Sequence, residues 1–230
     1  MQSLKKFYFG KSKYKPNTFI GGVSGTINTP ALVATKLQVS VNRIKAFSIV
    51  GSDIQFAVVG GAYTIPASCF INDNSITYYN DSLGLITQFV GGQEFRNSKI
   101  QSVNFPNVTT FNNSILNFYN CTSLISVSFP KVTRLWTQAF QLCTSLQSVN
   151  FPLLTTTGVL SFANNPLLGS VNIPLCSNLG GSPAYNNVFE GIKIGATISV
   201  PLSLQTVNTG APDGDLVYAS GTRGAIITYV

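Results

Sequence analysis

Four near-copies of one phrase decide the fold: IQSVNFP at 100–106, LISVSFP at 124–130, LQSVNFP at 146–152 and LGSVNIP at 168–174. Their prolines, at 106, 130, 152 and 174, are separated by 24, 22 and 22 residues. Self-similarity at such a period predicts a solenoid with one supersecondary unit per repeat. Within each copy the first, fourth and sixth residues are apolar (Ile100, Val103, Phe105; Leu124, Val127, Phe129; Leu146, Val149, Phe151; Leu168, Val171, Ile173). The last two of each set stand two apart, the period of a strand, and share one buried face. The residues between them must then point outward, in two columns: Ser102, Ser126, Ser148 and Ser170 beside Asn104, Ser128, Asn150 and Asn172. Proline after the strand removes a ladder donor and turns the chain. Val108, Val132 and Leu154 follow two residues later, and Phe118, Phe140 and Phe162 stand six residues before the next phrase, as aromatic plugs.

The L-x-x-V-x-F pattern resembles the strand signature of leucine-rich repeats. The added F-P, the NCTSL and LCTSL segments at 120–124 and 142–146, and IPASCF at 65–70 resemble the BspA-like branch of that family. The resemblance covers about residues 54–201 and implies a solenoid of the kind used in bacterial surface adhesins and phage attachment proteins. The expected fold is a β-rich, leucine-rich-repeat-like array with one parallel strand per 22–24-residue coil, a small β-rich N-terminal region and a C-terminal capping strand. Its expected parts are a basic anchoring region (1–45), the solenoid (46–201) and a cap (202–230).

Upstream of the clear copies, IQFAVV from 54 and ITYYND from 76 start at the same period, with Phe70 and Phe95 at plug positions; they are expected to be further rungs, for six or seven coils. LQVSV at 37–41 alternates as a half-buried strand should. Beyond Pro174 the period breaks: TISVP begins at 197, 27 residues after Ser170 instead of 22. A loop around Gly180, Gly181 and Pro183 must bulge from one coil, and in solenoids such loops often line the binding face. Asp213–Gly214 reads as a turn, with a capping strand ending at Val230.

The chain has 230 residues, a net charge of +7, 44% hydrophobic and only 9% charged residues, and no histidine. Its seven acids (Asp53, Asp73, Asp81, Glu94, Glu190, Asp213, Asp215) leave the clear repeats without a carboxylate. General acid–base and nucleophilic catalysis draw on His, Asp and Glu, so no catalytic residue is assigned, and no cofactor or metal is expected. Cys121 and Cys143 hold equivalent places one rung apart. That spacing is compatible with a disulfide, but stacked side chains point in parallel, which favours free thiols packed as small hydrophobes.

Residues 1–45 hold eight of the fourteen basic residues and no acid. Lys5, Lys6, Lys11, Lys13 and Lys15, interleaved with aromatics, are candidate anchoring residues that suit an acidic partner surface, and deletion of 1–45 is expected to leave the array folded. No membrane-length apolar stretch is present, and Lys5 and Lys6 are not followed by the apolar core of a secretory signal. The resemblance and the charge concentrated at one end lead to the expectation of a non-enzymatic phage virion structural protein (tail fibre, spike or head decoration). It would dock to other virion proteins through the N-terminal region and meet a host-surface glycan or protein through the eight outward Ser and Asn residues. Expected too are a virion-surface location, homo-oligomerisation and no membrane insertion. The alternative is a bacterial cell-surface adhesin or glycan-binding module.

Overall fold

A backbone device repeated six times closes each coil. Around every plug phenylalanine two residues adopt the left-handed region, one two positions before and one two positions after: Ser68 and Asn72 about Phe70, Gln93 and Asn97 about Phe95, Leu116 and Asn120 about Phe118, Gln138 and Leu142 about Phe140, Leu160 and Asn164 about Phe162, and Asn187 and Gly191 about Phe189. This alternation turns the corner while aiming every second amide along the solenoid axis. Phe70, Phe95, Phe118 and Phe140 donate to the carbonyls of Glu94, Asn117, Ala139 and Ser161 one coil on, at 2.6 to 2.9 Å. Their left-handed neighbours do the same: Asn97 N reaches Tyr119 O at 2.9 Å and Asn120 N reaches Gln141 O at 2.8 Å. Asparagine tolerates this conformation better than most residues, and here it adds a side-chain ladder, Asn97 Nδ2 to Asn72 Oδ1 and Asn120 Nδ2 to Asn97 Oδ1, both 2.9 Å. In the sixth coil the position is Gly191 (φ 65°), where a Cβ would lie 2.8 Å from Asn164 Oδ1.

The computed structural model describes residues 14–21, 27–112 and 115–230. In chain order the elements are β1 (Thr18–Gly21), α1 (Pro30–Lys36), β2 (Ile44–Val50), β3 (Asp53–Val58), β4 (Tyr63–Pro66), β5 (Tyr78–Asp81), β6 (Ile86–Val90), β7 (Ser102–Asn104), β8 (Thr110–Asn112), β9 (Ser126–Ser128), β10 (Ser148–Asn150), β11 (Ser170–Asn172), β12 (Thr197–Val200), α2 (Gly214–Arg223) and β13 (Ile226–Tyr229). The repeated phrase forms the expected parallel rungs, β5–β7–β9 and β10–β11–β12–β13, in register Val103 to Val127 and Val149 to Val171 to Ile198. A second, narrower parallel ladder runs up the return side. It consists of β4–β6–β8, continued by single bridges through Arg134, Thr156 and Asn178.

Three columns fill the interior. The plugs stack nearly parallel, Phe70 on Phe95 at 5.1 Å, Phe95 on Phe118 at 4.9 Å, Phe118 on Phe140 at 5.1 Å, and on through Phe162 to Phe189 at 6.1 Å per step. The rung aromatics stack beside them, Tyr79 on Phe105 at 5.1 Å and Phe105 on Phe129 at 5.4 Å. The return strands add Phe89 on Phe111 at 5.0 Å, with edge-to-face contacts such as Phe111 to Phe129 at 5.1 Å joining the columns. Offset stacked and edge-to-face pairs are the geometries a ring quadrupole favours.

The N-terminal region departs from the expected pattern in two places. IQFAVV is not a solenoid rung. It forms β3, antiparallel to β2 and β1, and β1 is itself antiparallel to β5, the first true rung. The strand thus has the apolar spacing of a rung but belongs to a cap that closes the end of the core. LQVSV is not a strand either: Leu37 caps α1, Gln38 turns with φ 52°, and Val41 opens a short 3-10 helix. Two of its alternating side chains still pack, Leu37 buried and Val39 against the core, while Val41 is exposed. Because β1 fills the ladder between β3 and β5, deletion of 1–45 removes a cap strand and α1 together with the lysines. The array cannot be expected to stay intact without them.

At the other end the capping strand β13 is present, parallel to β12. The expected Asp213–Gly214 turn is instead the start of α2. Asp213 is its N-cap, the carboxylate accepting the Asp215 amide at 2.9 Å, and Gly224 ends the helix in the left-handed region. An Asp-Gly pair satisfies both turn and cap chemistry, and the decisive Leu216 and Ala219 are buried only because the open coil end needs them.

Phe140 is fully buried and touches rings above, below and beside it. Phe140→Ala is expected to cost about 3 to 5 kcal/mol, read from the shift in urea midpoint at constant slope; a loss under about 1 kcal/mol would contradict the column.

Candidate ligand face

The eight outward residues stand where the strand period puts them. Ser126, Ser128, Ser148, Asn150 and Ser170 are exposed, and Ser102, Asn104 and Asn172 are half-buried. The register carries both columns beyond them: Tyr78 and Asn80 precede Ser102 and Asn104, and Thr197 and Ser199 follow Ser170 and Asn172. The ITYYND and TISVP phrases contained that signal. The asparagines partly satisfy one another, Asn104 Nδ2 donating to Asn80 Oδ1 at 2.9 Å and Asn172 Nδ2 to Asn150 Oδ1 at 2.7 Å. Serine at 128 breaks the Asn column.

The face is also divided at that level. β9 and β10 belong to different sheets. The bond from Gln147 N to Ile125 O is 3.5 Å long, Val127 is half-buried where Val103, Val149 and Val171 are buried, and the Phe129 to Phe151 ring distance opens to 6.4 Å. The result is two shallow hollows. One, of about 410 Å³, is lined by Tyr78, Asn80, Ser102, Asn104, Ser126 and Ser128, with no charged side chain. The other, of about 470 Å³, lies over Gln147, Ser148, Leu167 and Gly169 with Lys193 at its wall. Hydroxyls and amides that both donate and accept suit neutral, hydrogen-bonding ligands.

A further column lies on the return side, unnoticed in the sequence: Thr87, Thr109, Thr133 and Thr155, all exposed, follow the apolar residue of each coil. Their hydroxyls turn inward along the axis, Thr133 Oγ1 to Thr109 O at 3.2 Å and Thr155 Oγ1 to Thr133 O at 2.9 Å. From Thr109 onward this column therefore ties the ladder together with its donors already used.

Of the candidate anchoring lysines, Lys15 is exposed beside the buried Asn17 and Thr18 that enter β1. Lys5, Lys6, Lys11 and Lys13 lie outside the described residues.

All four cysteines are free and buried. Cys121 Sγ donates to Phe95 O at 2.8 Å and Cys143 Sγ to Phe118 O at 3.0 Å, and Asn165 Nδ2 takes the same role toward Phe140 O at 2.9 Å. Burial pushes the Cys121 thiol up to about 12, so these thiols are neither nucleophiles nor thiolate ligands near neutral pH. Among the described residues no group of three or more His, Cys, Asp or Glu side chains could hold a metal ion.

The insertion between Leu175 and Ala196 folds onto α2. Asp215 accepts the Val188 amide at 2.9 Å and the Asn186 amide at 3.2 Å; Tyr185 stacks on Tyr218 at 4.8 Å. Pro183 O receives the Gly214 amide, and a Cβ on Gly214 would come within 2.6 Å of Tyr185 N. The loop is thus a clasp for the cap. Asp213 and Asp215 are buried, and burial raises Asp213 to about 7 and Asp215 to about 6.

A sequence model for the BspA type leucine rich repeat region matches the chain in six copies, over residues 28–116 and 63–191. No curated protein and no solved structure matches it.

The raised carboxyls have a signed consequence. Between about pH 4 and 7 the folded chain holds protons at Asp213 that the unfolded chain has released, so their contribution is present at low pH and is lost as pH rises through 7. Asp213→Asn, which can still accept at the N-cap, should remove that dependence. Urea midpoints of both proteins at pH 5 and 8 check this: the wild type should gain relative to the variant at pH 5, and parallel pH profiles would refute it.

Proposed function

Since the chain belongs to the BspA-type leucine-rich repeat family, we propose that it is a non-enzymatic virion structural protein of a phage, a tail fibre, spike or head decoration, that displays its solenoid for host-surface attachment. The family assignment itself makes the chain a repeat binding module of the surface-adhesion type, on a scaffold that is typically non-catalytic. The observation that carries the attachment reading is the uncharged outward face, Tyr78 and Asn80 through Asn172, in a chain of net charge +7. Charge and hydrogen-bonding capacity are segregated. The basic N-terminal region docks to other virion proteins, and the ladder meets a host glycan or protein. No helix among the described residues is long and apolar enough to cross a membrane.

The two roles respond differently to salt. Attraction between the lysines and an acidic particle surface is screened over about 8 Å at physiological ionic strength, whereas hydrogen bonds from serine and asparagine are not. Because deletion of 1–45 would also remove β1, charge neutralisation is the cleaner test. Lys5, Lys6, Lys11, Lys13 and Lys15 changed together to Gln should abolish incorporation into particles, quantified by mass spectrometry of purified virions. Ser126→Lys with Ser148→Lys should leave incorporation intact and reduce adsorption to host cells by about tenfold or more. Absence of the wild-type protein from virions defeats the proposal and favours a bacterial cell-surface adhesin; unchanged adsorption by the serine variant returns the ladder to a solvated face.

A further inference from the structure

The two ends of the solenoid are finished differently. At the N-terminal end the outermost strand is β2, which carries exposed Lys45, turns through Ala46 at φ 49° and shifts register against β3 between Lys45 and Ser48. A lysine and an irregularity on an edge strand keep a sheet from pairing with another chain. The outermost strand at the C-terminal end is β13, and it has neither device. Its register on β12 is unbroken from Ile226 opposite Thr197 to Tyr229 opposite Val200, and IITYV at 226–230 contains no charged side chain and no proline.

Ile226 and Val230 donate their amides inward, to Ala196 O and Val200 O, at 2.8 and 2.9 Å. Alternate residues of a parallel strand bond to opposite sides, so the backbone groups of Ile227 and Tyr229 face out from the edge, where no further strand pairs among the described residues. The flanks are apolar: Ile226 is 62% exposed, Val230 60% and Leu202 61%, with Leu202 N bonded to Val230 O at 3.0 Å. The electrostatics also permit close approach of like molecules. From 196 to 230 the charged residues are Asp213, Asp215 and Arg223; both aspartates are buried, and Arg223 donates to Ile192 O. Among the described residues Lys15, Lys36, Arg43 and Lys45 sit on the opposite cap, at β1, α1 and β2, so two copies meeting at this end keep those like charges apart.

We propose that β13 is a pairing edge for a second copy of this chain. Two molecules join β13 against β13, antiparallel, about a two-fold axis, so that Ile227 and Tyr229 of each exchange backbone hydrogen bonds and Leu202, Ile226 and Val230 are covered. Such a self-complementary contact closes after two copies, turns the four-stranded sheet into one spanning both molecules, and holds the two outward faces on a common frame. The inference is independent of the attachment reading.

Sedimentation velocity of the full chain up to about 100 μM should show a monomer–dimer equilibrium. Ile226→Lys with Val230→Lys places charge at two exposed edge positions and should leave a monomer with unchanged circular dichroism and thermal midpoint. In the wild type, hydrogen exchange at the Ile227 and Tyr229 amides should slow as concentration rises, a readout that needs no variant. A wild-type monomer at 100 μM, a trimer or higher species, a dimer that survives both lysines, or exchange at 227 and 229 indifferent to concentration would each overturn the proposal.

Discussion

Every level of this molecule depends on one requirement: each coil must find its backbone hydrogen-bond partners on the next coil. Among the described residues the longest helix has ten residues and the strands three to seven, so few amides can be satisfied within an element, and a buried amide left unpaired costs about 1 to 3 kcal/mol. The left-handed pair around each plug answers this by turning alternate amides onto the axis. The strand rungs and the return bridges do the same on the other two sides. With three ladders in register, the rise per coil is set by the backbone, and side chains have to fill the space that rise defines. Flat aromatic rings suit it, which accounts for stacks at 4.9 to 6.1 Å along the plug column.

The polar groups inside the core follow from the same requirement. A plug carbonyl that points inward at the corner needs a donor, and the residue three positions beyond the plug of the next coil supplies one. Cys121, Cys143 and Asn165 occupy that place in successive coils, donating to Phe95, Phe118 and Phe140. The cysteines are therefore small apolar fillers with a weak donor, aligned side by side, and their parallel orientation keeps them unbonded. Length variation must occur where no ladder passes. The insertion between Leu175 and Ala196 leaves after Asn178 bridges to Thr156 and is back in step when Asn186 O receives the Leu160 amide. The surplus residues then lie against α2.

Neutrality of the outward face and concentration of charge at the N-terminal side are two aspects of one composition. A face of Ser, Asn and Thr presents hydroxyls and amides at rung intervals, groups whose hydrogen bonds depend little on ionic strength. Eight of the fourteen basic residues fall within the first 45, where attraction to an acidic surface would act at long range. The division of the rung ladder between β9 and β10 separates the face into two hollows of different character, one uncharged and one bordered by Lys193.

The repeat phrases determined the rungs, the inward Val and Phe, the outward Ser and Asn and the plug column, because period-two burial and a proline stop are local and act the same way in every coil. The sequence also placed Phe70 and Phe95 as plugs and left Cys121 and Cys143 as free thiols. What only the tertiary structure decided lies at the ends and corners, where a local pattern is compatible with several partners. IQFAVV has the spacing of a rung, yet β1 enters between it and β5 and makes it part of an antiparallel cap. LQVSV alternates like a strand but ends a helix. Asp213–Gly214 suits a turn as well as an N-cap, and the exposed end of the last coil selects the cap because it needs Leu216 and Ala219 to cover it. The left-handed corner positions from Ser68 to Gly191 are Ser, Asn, Gln, Leu and Gly by turns, and their common role becomes visible only once six corners are stacked and their amides are seen to run along one axis.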